Sequence, residues 1–172
     1  MAGIMARSPN RASRQGWRGR CGIGRSTSAA SGPKSIEEAL QTKTSYSFAS
    51  QSLEFAISGL ADDVKSNLKG APLEFAIKIL GTDLEKDGIT RNQTVRDFKQ
   101  ENQTVADILT ALVRKANPLT TVKDPSEADQ KLIWVIAPDP DSPGKQIVLI
   151  TTRAAAAAKK YKLPPPFVAK RT

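Results

Sequence analysis

The stretch that decides the fold is residues 92–113, NQTVRDFKQENQTVADILTALV, in which the tetrapeptide NQTV occurs twice, ten residues apart. After the first copy, residues 95–99 combine a β-branched start with mixed polarity, which is typical of an exposed or edge strand. After the second copy, residues 105–116 place apolar side chains at helical spacing. Thr104 is positioned to cap that helix, and Asp107, three residues later, can complete a weak capping box. Asn117-Pro118 ends the helix.

The repeated tetrapeptide also matches a glycosylation pattern and could be an architectural repeat, but we favour neither. Asn92 and Asn102 each begin an N-x-Thr pattern that matches the acceptor for N-glycosylation. We interpret both matches as chance, because Thr104 is better explained as a helix cap. An architectural repeat is not expected either, because solenoid repeats need more copies at a constant period.

Toward the N terminus, the clearest element is an amphipathic helix over residues 52–69, which Gly70-Ala71-Pro72 ends. Ser35 is predicted to cap a short helical turn before it. Tyr46 and Phe48 alternate with serines and fit either a short first strand or the entry to that helix. Residues 73–79 alternate in polarity like a half-buried strand, and residues 81–88 are predicted to be a polar turn.

Toward the C terminus, residues 131–136 and 146–151 are nearly continuously apolar. That pattern predicts two strands that are covered on both faces, or a sheet that also meets a partner. The prolines of residues 137–145 predict a long hairpin loop between them. Arg153 and five alanines predict a short terminal helix.

The order of elements, (β)-α-β-β-α-β-β, predicts the α+β class. We expect a single domain over residues 35–160, in which two main helices pack on one face of a mixed or antiparallel sheet to give two layers. Residues 1–34 are predicted to be a disordered basic arm, and residues 161–172 a proline-rich basic tail.

The charge is unevenly distributed along the chain. Residues 1–34 contain six arginines and Lys34 but no acidic residue, and residues 153–172 contain six basic residues and no acidic one. Since the formal net charge of the whole chain is +9, residues 35–152 are net acidic, at −4. The high isoelectric point therefore belongs to the predicted tails and not to the domain.

The basic tails allow contact with nucleic acid or another anionic surface. The candidate residues in the arm are Arg11, Arg14, Trp17, Arg18 and Arg20. The arginines can contact phosphate and the indole can stack on a base. The alternative is a solvated tail or a non-native extension, and we favour it because the domain itself is acidic.

Residue types argue against an enzyme and against a metal site. The chain has no histidine, and Cys21 is its one cysteine, so the common nucleophile–base pairs are absent. We therefore expect no catalytic residue, cofactor or metal. The segment DLEKDG at residues 83–88 imitates the start of a calcium loop, but Thr94 at its twelfth position cannot supply a bidentate carboxylate. We predict a solvated turn there.

The sequence indicates a soluble protein without membrane insertion. Residues 1–26 lack the apolar run of a signal peptide, and no stretch approaches the ~20 apolar residues of a membrane helix. The chain as written is expected in the cytoplasm. A periplasmic or envelope location is the alternative if the start of the chain has been assigned wrongly.

Residues 44–152 resemble the short N-terminal domain of secretins and TonB-dependent receptors. The resemblance rests on the strand around residues 95–99, the capped helix TVADILTALV at residues 104–113, and the hairpin at residues 132–151. The chain is also similar to uncharacterised proteins of planctomycete-type bacteria. The first resemblance implies a non-catalytic protein–protein interaction module of the cell envelope. Phe98 and Trp134 are candidate anchors for a partner, with a core or cross-strand role as the default alternative.

The two copies of NQTV are distinguished by stability measurements. We expect Thr104→Ala to lower the free energy of unfolding by ~1 kcal/mol through the lost helix cap, and Thr94→Ala to lower it clearly less. Urea unfolding of both variants measures the difference. Equal losses contradict the assignment of strand to the first copy and helix to the second.

Overall fold

A computed structural model describes residues 32–169, and helices and strands alternate through this range except for two successive strands near its C-terminal end. The helices are α1 (Ile36–Leu40), α2 (Leu53–Asn67), α3 (Gly81–Lys86), α4 (Val105–Lys115) and α5 (Arg153–Ala158), followed by a 3-10 turn at Pro165–Phe167. The strands are β1 (Lys43–Ser52), β2 (Ile77–Ile79), β3 (Thr94–Thr104), β4 (Leu132–Asp139) and β5 (Ser142–Thr152). The predicted α+β class is confirmed.

Three strands run directly into helices through a single hydroxyl residue. Ser52, Thr104 and Thr152 each end a strand and cap the next helix, α2, α4 and α5 respectively. Each side chain accepts a hydrogen bond from the backbone N–H three residues later, at 3.4, 3.1 and 3.3 Å. An N-cap residue has extended backbone angles, so it can end a strand without an intervening loop.

The repeated tetrapeptide therefore has the two roles that its surroundings predict. The first copy leads into β3, and Thr104 of the second copy caps α4. The Thr104 hydroxyl also donates to the Asp107 carboxylate at 2.6 Å, so the side chain of Asp107 takes part in this cap. However, β3 is longer than predicted and continues through Asn102 and Gln103, so most of the second copy is strand as well.

Strands β1 and β3 form a two-stranded antiparallel ribbon. Phe48 lies opposite Phe98, and their rings stack with centroids 5.2 Å apart. Tyr46 contacts both rings edge-on, at 5.6 and 6.2 Å. Tyr46 and Phe48 thus belong to a first strand, which decides between the two alternatives that the sequence left open.

The two strand–helix units of the ribbon are tied to each other at both ends. The backbone N–H of Leu53, at the start of α2, donates to the Gln93 carbonyl just before β3, at 2.8 Å. The N–H of Val105, at the start of α4, donates to the Thr42 carbonyl just before β1, at 3.0 Å. These matching contacts give the ribbon an approximate local twofold relation centred near the stacked phenylalanines.

A β-bulge interrupts this relation at one end. The register of the ribbon shifts between Thr44 and Tyr46, where β3 contains one extra residue. Asn102 lies in the bulge with φ +50°, and its backbone N–H donates to the Ser45 hydroxyl at 3.0 Å. Asparagine is one of the few residues that adopt this left-handed conformation at low cost.

The remaining strands form a second sheet in the order β2-β5-β4, with β2 parallel and β4 antiparallel to β5. The strands thus form two sheets, one antiparallel and one mixed, whereas the sequence-based expectation was a single sheet. Helix α4 contacts both β3 and β4, and α2 contacts both β1 and β2. Each main helix therefore contacts both sheets. In α4 the apolar face is wide enough for two contacts, since five of its residues are fully buried.

Two loops differ from the sequence-based expectation. The β4–β5 connection is only Pro140-Asp141, because the strands extend through most of the predicted long loop. The Asp139 carboxylate tightens this turn by accepting the Asp141 N–H at 3.0 Å. Between α2 and α3, residues 73–76 remain outside any strand, and β2 is only three residues long.

The C-terminal segment also differs from the predicted tail. Residues 161–169 fold back onto the domain, and Phe167 is completely buried with its ring edge-on to Trp134 at 6.0 Å. The Arg153 guanidinium holds this segment by donating to the Phe167 carbonyl at 2.9 Å. It also donates to the carbonyls of Pro125 and Gln130, at 3.0 and 3.2 Å. Burial lowers the pKa of this guanidinium.

The bulge at Asn102 is tested by two substitutions at that position. We expect Asn102→Ala to lower the free energy of unfolding by ~1 kcal/mol, because alanine resists the left-handed conformation. Asn102→Gly is the matched control and should cost little, since glycine accepts positive φ. Both losses are measured by denaturant unfolding of the full chain, and equal losses contradict a conformational role for Asn102.

Candidate functional site

The basic residues proposed for nucleic-acid contact are not among the described residues. Arg11, Arg14, Trp17, Arg18 and Arg20 all lie outside residues 32–169. Contact of the N-terminal arm with nucleic acid stays a prediction.

Phe98 and Trp134 are core residues, which corrects their suggested role as surface anchors. Each is only 3% exposed. Phe98 is held by the aromatic stack of the ribbon. The Trp134 indole N–H donates to the Thr110 hydroxyl at 3.0 Å, so its polar atom is also satisfied inside the protein. Neither side chain offers a surface to a partner.

The segment that imitates a calcium loop belongs in part to α3, and its first carboxylate binds a lysine from a distant part of the chain. Asp83 lies in α3, not in a solvated turn, and is only 2% exposed. Its carboxylate accepts hydrogen bonds from the Lys159 ammonium at 2.7 and 2.9 Å and from the Thr151 hydroxyl at 2.8 Å. Among residues 32–169 there is no group of three or more His, Cys, Asp or Glu side chains that could hold a metal. The carboxylate thus has a structural partner.

The electrostatics of Asp83 follow from these contacts. Burial on its own raises the pKa of the Asp83 carboxyl, but the hydrogen bonds from Lys159 and Thr151 outweigh it and hold the pKa below its ordinary value. Asp83 is therefore ionised at neutral pH. Its contact with Lys159 joins α3 to the end of α5.

A second ion pair fixes the β4–β5 hairpin. The Lys78 ammonium, next to Ile77 in β2, binds the Asp139 carboxylate at 2.7 and 2.9 Å and the Asp141 carboxylate at 2.8 Å. Hydrogen bonds to the two carboxylates raise the pKa of Lys78, and the hydrogen bond from Lys78 lowers the pKa of Asp139. The Lys78 ammonium thus joins β2 to the β4–β5 turn, which is typical of a structural contact.

Two buried side-chain amides hydrogen-bond to the backbone at the start of β4, on its outer edge. The Leu132 N–H donates to the Asn117 side-chain oxygen at 3.2 Å, and the Leu132 carbonyl accepts from the Gln130 side-chain amide at 2.5 Å. Asn117 is satisfied on all sides, whereas the Gln130 side-chain oxygen is buried without a hydrogen-bond partner among the described residues. The amides occupy the place that a further strand would take.

The β1/β3 ribbon is open along its outer edges. Among the described strands, β1 pairs only with β3 and β3 only with β1. A groove of about 550 Å³ runs beside β3. Its lining residues are Asp97, Phe98, Lys99, Gln100, Ala111, Arg114, Lys115, Thr120, Val122 and Lys123. Four of these carry a positive charge and one a negative charge, so the groove is basic.

The contacts of the groove cations are mostly with backbone. The Lys115 ammonium donates to the Asp97 carbonyl at 2.6 Å, and the Arg114 guanidinium donates to the Lys123 carbonyl at 3.4 Å. Lys99 pairs with Glu101 at 2.9 Å, and both side chains are largely exposed.

None of the helices within residues 32–169 is long and apolar enough to cross a membrane.

The internal pair at Asp83 is tested by removing its cation. We expect Lys159→Met to lower the free energy of unfolding at pH 7 by ~1–3 kcal/mol, because a buried carboxylate loses a partner. A lowered pKa stabilises the fold above the ordinary carboxyl pKa, and this contribution is lost as pH falls through the folded-state pKa. The gap between wild type and variant should therefore narrow on acidification.

Urea unfolding at pH 7 and at lower pH measures this gap. Lys162→Met, at a neighbouring exposed position, is the matched control and should change stability little at either pH. A gap that stays constant with pH contradicts a stabilising ion pair at Asp83.

Comparison with known proteins finds no matching family model, no matching curated protein and no matching solved structure. We therefore infer the function from the contacts and charges of the described residues.

Proposed function

We propose that this chain is a non-enzymatic protein–protein interaction module that binds an extended segment of a partner along the edge of the β1/β3 ribbon. The observation that carries the proposal is the ribbon itself, whose strands are 10 and 11 residues long and lack a further strand on either side among the described residues. An open edge presents unpaired N–H and C=O groups to an added strand. The resemblance to the secretin and TonB-receptor domain favours the same class of function.

The second sheet offers less to a partner strand. The edge strand β2 has only three residues, and the outer edge of β4 begins with Leu132, whose backbone groups are bound by the Asn117 and Gln130 amides. Pro138, near the other end of β4, has no N–H to donate. The ribbon is consequently the better site for strand addition.

The buried acidic groups support a non-enzymatic function. Asp83 and Asp139 each bind a lysine ammonium, and both pairs connect separate segments of the fold. Perturbed carboxylates mark catalytic sites only when they are accessible to a substrate in a cleft. Neither residue lines the groove beside β3.

A second candidate is an adaptor that binds nucleic acid or an anionic surface through the basic N- and C-terminal segments. It rests on the concentration of positive charge in residues 1–34 and 153–172. Electrostatic contacts with phosphate weaken steeply with salt. Binding that is lost at high salt and on removal of residues 1–31 favours this candidate, whereas binding that survives both favours the ribbon.

Strand addition is tested with peptides that bind the full-length chain, selected from a display library of random linear sequences. Each selected peptide is then made in two forms, N-methylated at odd or at even positions. An added strand directs alternate N–H groups toward its neighbour, so one form should bind at least tenfold more weakly. A tenfold loss corresponds to ~1.4 kcal/mol, about the value of one or two hydrogen bonds.

The other methylated form is the internal control and should keep most of its affinity, because its methyl groups point away from the ribbon. Affinities are measured by fluorescence anisotropy. Equal binding of both forms rejects strand addition.

A further inference from the structure

We propose that the partner segment is an acidic peptide that lies extended in the groove between β3 and the C-terminal end of α4. The inference rests on the proposed function and adds to it one edge and one ligand chemistry. Three observations carry it: the course of the groove along the strand edge, its concentration of positive charge, and the hydrogen bond that the Asp97 carbonyl accepts from Lys115.

The groove follows the edge of β3 and not its face. Residues 97–100 line it consecutively. Side chains of a strand alternate between its two faces, so consecutive residues share a wall only when that wall is the edge. The opposite wall comes from α4 and from residues 120–123. An extended chain in this groove can reach the backbone of β3 on one side and side chains of the helix and loop on the other.

The charge in the groove is out of proportion to its surroundings. Residues 35–152 are net acidic, yet Lys99, Arg114, Lys115 and Lys123 converge here. Within residues 32–169, no salt bridge joins the last three of these cations to a carboxylate. Lys99 has an exposed pair with Glu101, and such a pair contributes little to stability and can exchange.

Stabilisation of a helix dipole explains only part of this cluster. Arg114 and Lys115 lie in the last turn of α4, where positive charge is favourable. Lys99 and Lys123 come from other segments and are not needed for that purpose. Their convergence from three parts of the chain indicates an anionic ligand.

The Asp97 carbonyl shows how acidic segments can be selected. Asp97 has φ +49°, and its carbonyl accepts the Lys115 ammonium at 2.6 Å. The Lys115 side chain reaches from α4 to cover this carbonyl, and a lysine placed against a strand edge discourages nonspecific pairing. A neutral strand that displaces this ammonium returns it to water, whereas an acidic strand supplies a carboxylate as a new partner. The edge of β3 therefore favours acidic partners.

Anionic occupants of a different kind fit the groove less well. Binding of single-stranded nucleic acid uses exposed aromatic side chains for base stacking, but Phe98, the one aromatic residue in the lining, is buried. The basic residues of segments 1–34 and 153–172 have the same sign of charge as the groove, so charge complementarity favours a separate acidic ligand. An acidic peptide matches both the charge and the strand edge.

The inference is tested with a fluorescent decapeptide of alternating glutamate and valine, (Glu-Val)5, added to the full-length chain at low salt. We expect it to bind at least tenfold more tightly than the neutral peptide (Gln-Val)5. The double variant Arg114→Glu/Lys123→Glu should weaken binding of (Glu-Val)5 at least tenfold. Both substituted side chains are exposed, and thermal unfolding of the variant verifies that the fold is kept.

A matched control separates the groove from the overall charge. Lys69→Glu/Lys86→Glu makes the same change in net charge at exposed positions outside the groove, and it should change the affinity less than twofold. Because the basic terminal segments are present in every variant, binding by them affects both double variants equally. Equal weakening by the two double variants overturns the inference.

The remaining outcomes separate this inference from the proposed function. If neutral peptides bind as tightly as acidic ones and alternate N-methylation still matters, strand addition stands and the acidic partner is rejected. If (Glu-Val)5 binds in the groove but its two N-methylated forms bind equally, the anionic site stands and strand addition is rejected. Tighter, groove-dependent binding of a ten-nucleotide oligo(dT) identifies nucleic acid as the occupant and overturns the peptide.

Discussion

The direct junction of strand and helix through one hydroxyl residue is the constraint on which this fold depends. At Ser52, Thr104 and Thr152 the chain changes from extended to helical within one residue. With no loop to absorb a change of direction, each strand fixes where its helix begins. In the ribbon, antiparallel pairing of β1 and β3 then places α2 and α4 at opposite ends, where hydrogen bonds tie each helix start to the opposite strand.

Charged side chains connect the segments that these junctions leave apart. Lys159 binds Asp83 and joins α5 to α3, Lys78 holds the β4–β5 turn, and Arg153 fastens the C-terminal segment through three carbonyl groups. In each case a buried polar group finds its partner within the fold, as burial requires. The cations of the groove beside β3 differ, because most of them meet backbone or solvent. Positive charge in this groove therefore remains accessible to a ligand.

Several elements were predictable because the signal and its partner lie close together in the sequence. Apolar spacing and a cap identify the helix after Thr104, and the apolar runs of β4 and β5 indicate strands. Elements whose partners are distant were missed. Residues 81–86 have the composition of a polar turn, and the helix there buries Asp83 against Lys159, 76 positions later. The predicted hairpin loop is too long because prolines disfavour strands in general, whereas here β4 and β5 include Pro138 and Pro143.

The candidate site could be predicted least. Lys99, Arg114 and Lys123 each look like an ordinary surface cation in the sequence, and only the return of the chain after α4 brings them to one groove. Phe98 was suggested as an anchor because an aromatic residue on a strand can face either way, and pairing with Phe48 decided that it faces the core.

By itself the sequence determined the caps at Ser35 and Thr104, the helical period of α4 and the α+β class, because these depend on hydrogen bonds and side-chain spacings within a few residues. The tertiary structure alone decided the pairing of β1 with β3, the division into two sheets, the burial of Phe167 and the basic groove. Those features depend on contacts between residues far apart in the chain, and their energies exist only once the chain has closed on itself.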